Sequence, residues 1–184
     1  MRILSVGVAL FFLASAGAAQ APSAQAPSRP NASLAQLMRG IMFPNSNIIF
    51  NVQSQDPAAP KPIYEPGKAP FSWVDWGAGI YTGWDVVENA AIVLEEAPDL
   101  IMKPGRLCTN GKPVPVERAD FQKFAQGLRV AARAAFEAAR EKNQEKVSEV
   151  TNQLAEACFS CHNVYRTDPP GGPRRCEPSG VPPR

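Results

Sequence analysis

The stretch Cys158-Phe159-Ser160-Cys161-His162 constrains this chain more than any other, because it lies near the end of a strongly amphipathic helical segment. At about 100° per residue, a helix projects both cysteines and the histidine into one sector. Apolar residues and cysteines recur along this segment at spacings of three and four: Val147, Val150, Leu154, Cys158, Cys161 and Tyr165. The motif is therefore predicted to face the core of a helical protein.

Cys-x-x-Cys-His is the attachment signature of c-type haem, and each of its residue types has a chemical role. Two thiols can add across the haem vinyl groups to form thioether bonds, and the adjacent imidazole then reaches the iron from the same side. His162 is the only histidine in the 184 residues, so no second imidazole competes for the iron. The sequence predicts one haem c per chain, bound by Cys158 and Cys161, with His162 as an iron ligand.

Two other kinds of site also use Cys-x-x-Cys, namely redox dithiols and zinc sites. A thioredoxin-type dithiol follows a strand and precedes a helix, whereas this motif lies at the C-terminal end of a helix. A zinc site needs four ligands, and the remaining cysteines, Cys108 and Cys176, have no Cys-x-x-Cys or histidine partner. The motif therefore favours haem attachment.

Residues 1–19 have the pattern of a secretory signal peptide. Arg2 precedes an apolar run from Ile3 to Ala14, and small residues follow at 16–19. The apolar run is shorter than the ~20 residues of a membrane-spanning helix. No cysteine follows it for a lipid anchor, and no later segment is long and apolar enough to cross a membrane. We expect an exported, periplasmic protein without a membrane anchor, in a compartment that permits thiol oxidation.

Charge and composition argue against several other functions. The formal net charge is +2, which gives no electrostatic footprint for nucleic acid. Arg174 and Arg175 form a small basic spot that we expect to be solvated. No acid–base constellation accompanies the motif, so we do not expect an enzyme.

The rest of the chain predicts an all-α fold, because no alternating strand pattern appears. Residues 20–30 are predicted to form a disordered leader, and a first helix begins near Asn31 or Ser33. Pro44 should kink or break that helix near residues 40–44. A proline-rich connection follows, in which the aromatic residues at 73, 76 and 81 should pack down.

Three further helical patterns follow the connection. Thr82 to Asp85 resembles a capping box for a second helix that ends around Ala97-Pro98. A third helix starts between Val116 and Asp120. A short link near Lys142-Asn143 predicts that the fourth, which runs to about Arg166, is its antiparallel neighbour. We therefore predict an antiparallel four-helix bundle over residues 31–166, with an irregular proline-rich tail at 167–184.

Cys108 and Cys176 remain as an even pair in an oxidising compartment. They lie in two otherwise irregular segments, and this favours a disulfide that ties the tail to the second connection. The alternative is two unpaired thiols.

The fourth helix extends the haem motif to Cys158-x-x-Cys161-His162-x-x-Tyr165-Arg166, near the end of the chain. In this it resembles class II c-type cytochromes, the cytochrome c′ family. The resemblance includes Leu37-Met38, the Trp84 helix with Leu94-Glu95-Glu96-Ala97, and Pro104-Gly105-Arg106. It implies a four-helix bundle with covalently bound haem, His162 as proximal ligand, Arg166 beside that imidazole and Tyr165 near the haem edge.

The family divides by what faces the iron from the first helix. A methionine there gives six-coordinate iron suited to electron transfer with a redox partner protein. A non-ligating residue leaves five-coordinate iron that binds NO or CO. Met38 and Met42 share a helix face, and the alternative role for both is core filling. Met38 is the preferred ligand, because it matches the distal position and lies six residues before Pro44, in helix expected to be undistorted.

One feature of the family pattern is missing. Many members carry an arginine one turn before the distal residue, paired with a haem propionate, and this chain has Leu34 there. Arg39 or Arg106 could take the place of that arginine.

The resemblance also implies that the chain can form a homodimer. The expected function is electron transfer with an unidentified redox partner, and the alternative is binding of small gases.

Overall fold

The computed structural model describes residues 29–60, 83–169 and 171–177, and these residues form an all-α structure with no strand among them. The predicted signal peptide, most of the leader, the aromatic residues at 73, 76 and 81, and the last residues of the tail lie outside this set. None of the described helices is both long enough and apolar enough to cross a membrane.

The first helical stretch is continuous but has three parts: α1 (Leu34–Leu37), a π-helical segment (Met38–Met42) and α2 (Phe43–Asn51). Ser33 begins it with a capping box, since its hydroxyl accepts from the Gln36 amide and its own amide donates to the Gln36 side chain at 2.8 Å. Of the two starts that the sequence allowed, near Asn31 or Ser33, the structure shows Ser33.

Pro44 distorts this stretch without breaking it. A proline ring clashes with the carbonyl four residues earlier, here that of Gly40. The preceding turn is widened instead, and the amide of Phe43 donates to the carbonyl of Met38, five residues back. Such π-helical turns are one of the known ways in which a helix accommodates an interruption.

The second long helix, α3 (Trp84–Ile101), begins after Gly83, whose φ of 63° is available to glycine at little cost. Gly83 takes the N-cap position without a side-chain hydrogen bond, and Thr82 lies outside the described residues. The predicted end at Ala97-Pro98 is wrong. The helix continues through Pro98, because Ile101 is buried in the core and the Met102 amide donates to the Pro98 carbonyl at 2.8 Å.

Two amphipathic helices complete the fold, α4 (Ala119–Arg140) and α5 (Gln144–Tyr165). Both begin and end close to the predicted positions. They run in opposite directions, since Phe121 at the start of α4 contacts Tyr165 at the end of α5 with ring centroids 5.1 Å apart. Helix α3 also packs against α4, and ion pairs of Asp99 with Arg129 and of Glu95 with Arg133 show that these two are antiparallel.

The end of α2 lies beside the start of α5. The side chain of Gln144 donates to the Val52 carbonyl at 2.9 Å, and Gln53 donates to the hydroxyl of Thr151. Thr151 is almost fully buried, so these two hydrogen bonds fix how the first helical stretch sits on the last helix.

The tail is fastened to the connection between α3 and α4. Cys108 and Cys176 form a disulfide with Cα atoms 6.3 Å apart, as predicted from the even pair. The side-chain Nδ2 of Asn110 donates to the Gly172 and Arg175 carbonyls, at 3.0 and 2.9 Å. The described part of the tail is thus irregular, but it is packed onto the helices.

Candidate haem site

A cavity of about 350 Å³ lies between the helices, within the size range of small-molecule and cofactor sites. Helices α1 to α5, the π-helical segment, the α3–α4 connection and the tail all contribute to its lining. The cavity brings together every residue predicted for the site: Cys158, Cys161, His162, Tyr165, Arg166, Met38 and Met42.

The motif presents its reactive residues to this cavity in the predicted manner. Cys158, Cys161 and His162 are half-buried on the cavity side of α5. The intervening residues point elsewhere: Phe159 is 60% exposed, and the hydroxyl of Ser160 bonds to Glu156 at 3.0 Å. One edge of the motif therefore reaches solvent while its ligands face inward.

The thiols of Cys158 and Cys161 are both free, and burial is the main influence on their pKa values. It raises the pKa of Cys158, and it raises the pKa of Cys161 to about 12, with smaller contributions from Cys158 and Asp120. Redox dithiols depend on a lowered thiol pKa, so this environment does not suit that chemistry.

Within the described residues, no group of three or more His, Cys, Asp or Glu side chains is arranged to hold a metal ion, as a zinc site would require.

The surroundings of the His162 imidazole lower its pKa and so favour its neutral form. Burial lowers its pKa first, and the charges of Arg166 and Arg175 lower it further. Arg166 lies one turn away, with Nη1 3.5 Å from Nδ1 of His162, where the resemblance put it. Neutral imidazole is the form that binds a metal, so the surroundings favour a ligand role for His162.

Tyr165 lines the cavity from α5 and packs against α4. Its ring packs edge-to-face on Phe121 and Phe124, with centroids 5.1 and 6.3 Å away. Its hydroxyl accepts a hydrogen bond from Nε of Arg118 at 2.9 Å, and that arginine also pairs with Asp120. Burial is the main cause that raises the pKa of Tyr165 to about 12, so the phenol stays protonated.

Met38 and Met42 reach the cavity from the first helical stretch, Met42 buried and Met38 half-buried. Helix α2 packs against α5, whereas the cavity intervenes between the π-helical segment and the motif. The expectation that Met38 lies in undistorted helix is wrong. It is the first residue of the π-helical segment and Met42 is the last, because the effect of Pro44 extends back over the whole turn.

The arginines near the cavity differ from expectation. Arg39 does line it, but Arg106 does not: its buried guanidinium donates to the carbonyls of Leu100, at 3.0 Å, and Ala32. Arg106 therefore holds the start of the first helical stretch to the α3–α4 connection.

Arg175 is a cavity residue that the sequence did not reveal. The prediction that Arg174 and Arg175 are both solvated is wrong for Arg175, which is half-buried and lines the cavity. The position of Arg175 could have been inferred from the neighbouring Cys176, because the disulfide of Cys176 with Cys108 brings residue 175 to the cavity.

The residues present fit a haem. Two free cysteines and a histidine line the cavity from α5, and two methionines line it from the first helical stretch. Apolar side chains form much of the remaining lining: Leu34, Phe50, Leu94, Ile101, Phe124 and Leu128. Cationic side chains line it as well, from Arg39, Arg166 and Arg175.

Comparison of this chain with protein-family models, with curated proteins and with solved structures finds no match.

Proposed function

We propose that this protein is an exported c-type cytochrome of class II, an antiparallel four-helix bundle that binds one haem c covalently and carries electrons. The observation that carries the proposal is the common cavity. The haem-attachment motif and both candidate distal methionines, which are more than 100 positions apart in sequence, line the same 350 Å³ space.

Each chain residue has a defined task in this proposal. Cys158 and Cys161 would hold the haem through thioether bonds, and the imidazole of His162 would bind its iron. Bound haem would supply an iron that gains and loses one electron. A thioether from Met38 or Met42 would stabilise the ferrous state and raise the reduction potential, while the apolar lining excludes water.

Two further observations support the choice of electron transfer. Both methionines reach the cavity, which favours six-coordinate iron over the gas-binding alternative. Phe159 in the motif is 60% exposed, so a redox partner protein can approach the edge at which the haem is attached.

The Cys108–Cys176 disulfide fits export to an oxidising compartment such as the periplasm.

The decisive experiment tests covalent attachment, because thioether bonds survive unfolding. Full-length protein from cells that attach haem c should keep its haem on a denaturing gel. The Cys158→Ser/Cys161→Ser variant should lose it, and the Cys108→Ser/Cys176→Ser variant, which leaves the motif intact, should keep it. Haem that extracts into acidic organic solvent from the unmodified protein would reject the proposal.

A further inference from the structure

Three arginines line the cavity without a carboxylate to balance them: Arg39, Arg166 and Arg175. Among the described residues, none of the three forms an ion pair. The carboxylate of Asp168 lies nearby but pairs with Nη2 of Arg174 at 3.0 Å. Arg175 is half-buried whereas Arg39 and Arg166 are exposed, and an anion bound among these three like charges would reduce their mutual repulsion.

Arg175 is the most firmly positioned member of this group. The residue after it, Cys176, is bonded to Cys108, and its amide donates to the Tyr165 carbonyl at 3.2 Å. The side chain of Asn110 donates to the Arg175 carbonyl at 2.9 Å. Nη1 of Arg175 donates to the carbonyls of Asp168 and, at 3.4 Å, Arg166. Contacts on both the backbone and the side chain thus hold this cation against the cavity.

We propose that Arg175, positioned by the Cys108–Cys176 disulfide, binds a propionate carboxylate of the haem, with Arg39 and Arg166 as neighbouring cations. This inference rests on the proposed function. Haem carries two propionates, and a guanidinium can bind a carboxylate through two parallel hydrogen bonds. Nη1 of Arg175 is already turned to backbone carbonyls, which leaves its remaining N–H groups for the ligand.

The test compares Arg175→Ala with Arg174→Ala in the full-length haem-loaded protein, using a spectroelectrochemical titration of the haem at low ionic strength. Loss of a cation paired with a propionate favours ferric iron, so Arg175→Ala should lower the reduction potential. At a fixed ambient potential, the ferrous-to-ferric ratio should fall about fivefold or more. Arg174 lies next in the chain but does not line the cavity, so Arg174→Ala should leave the ratio nearly unchanged.

A second set of variants tests whether the disulfide positions Arg175. Cys108→Ser/Cys176→Ser should also lower the potential, and adding Arg175→Ala to it should have much less effect than in the parent protein. An undiminished effect would overturn the positioning role of the disulfide. The comparison of Arg175 with Arg174 keeps both cysteines, so it stands whether or not the double serine variant folds.

The remaining outcomes separate this inference from the proposed function. An unchanged potential in Arg175→Ala, or equal shifts in Arg175→Ala and Arg174→Ala, with haem still covalently bound, would overturn the inference alone. A parent protein without covalent haem would overturn the proposed function and the inference with it.

Discussion

Met38 and Met42 present the clearest residue-level choice in the site, because both sulfurs belong to one π-helical segment and both side chains reach the cavity. Met42 is 8% exposed and Met38 is half-buried. A core-filling role fits the well-buried Met42 better than the half-buried Met38. We therefore propose Met38 rather than Met42 as the ligand on the basis of burial, not of distance from Pro44.

Replacement of Met38 by alanine should therefore convert low-spin ferric haem to high-spin and open the distal face to carbon monoxide. It should also lower the reduction potential, since ferrous iron loses its soft ligand. The absorption spectra of the ferric, ferrous and carbon-monoxide forms measure all three changes. Met42→Ala is the matched control and should keep the low-spin spectrum.

The reverse pattern would make Met42 the ligand. A parent protein that is already high-spin, with both variants unchanged, would favour the gas-binding function instead.

Tyr165 combines two stabilising interactions that substitution can separate. Tyr165→Phe keeps the packing on Phe121 but loses the 2.9 Å hydrogen bond from Arg118, and should lower the free energy of unfolding by about 1 kcal/mol. Tyr165→Ala also loses the ring and should cost roughly 3 kcal/mol or more. Denaturant titration measures both losses. Equal losses would mean that the ring packing contributes nothing.

Two helices contain an internal proline, and they accommodate it differently. In the first helical stretch Pro44 is exposed, and the turn before it widens into the π-helical segment. In α3, Pro98 is buried one turn from the helix end, where Ile101 and Met102 continue the helix. The first distortion changes the backbone that carries Met38 and Met42.

Pro44→Ala should therefore allow the π-helical segment to return to α-helical geometry. Residue 44 regains an amide for the Gly40 carbonyl, so thermal stability should rise. The two methionines should turn relative to the cavity, which would change the ligand-sensitive bands of the haem spectrum. Pro98→Ala is the control within α3 and should leave those bands unaltered. Identical spectra for Pro44→Ala and the parent protein would show that the widened turn does not set the position of the methionines.

The helices that could be predicted best from the sequence are those whose apolar residues recur at helical spacing within the helix itself. The seam of α4, from Phe121 to Ala139, and that of α5, from Val147 to Tyr165, follow 3.6-residue periodicity, and the burial of their residues is determined by that pattern. The cap at Ser33 likewise depends on a contact three residues away. These features required no knowledge of the tertiary structure.

The features that sequence reasoning missed depend on distant partners. Pro98 remains helical because Ile101 finds a place in the core, and Arg106 is buried because it meets the Ala32 carbonyl 74 positions earlier. Arg175 reaches the cavity through contacts with distant segments, among them the disulfide and the hydrogen bond from Asn110. A helical periodicity cannot encode such contacts, since each depends on two segments far apart in sequence.

At the scale of the whole molecule, the tail is a structural part of the site, because its residues Arg175 and Cys176 line the cavity together with Cys108 of the α3–α4 connection. The disulfide joins residues 68 positions apart, and closing a loop of that length stabilises a protein by roughly 4 kcal/mol in the chain-entropy model. Asn110 adds a second, weaker attachment through its hydrogen bonds to tail carbonyls. The two attachments should contribute separately to stability.

Removal of the disulfide by Cys108→Ser/Cys176→Ser should therefore lower the free energy of unfolding of the haem-loaded protein by about 4 kcal/mol, because the unfolded chain regains its freedom. For a chain of this size the melting temperature should fall by roughly 10 °C. A thiol reductant should bring the parent protein down to the same value and leave the double serine variant unchanged. Asn110→Ala keeps the disulfide and should cost only about 1 kcal/mol. If the parent protein melts at the same temperature with and without reductant, although alkylation proves Cys108 and Cys176 reduced, then the helices and the haem hold the tail without the covalent bond.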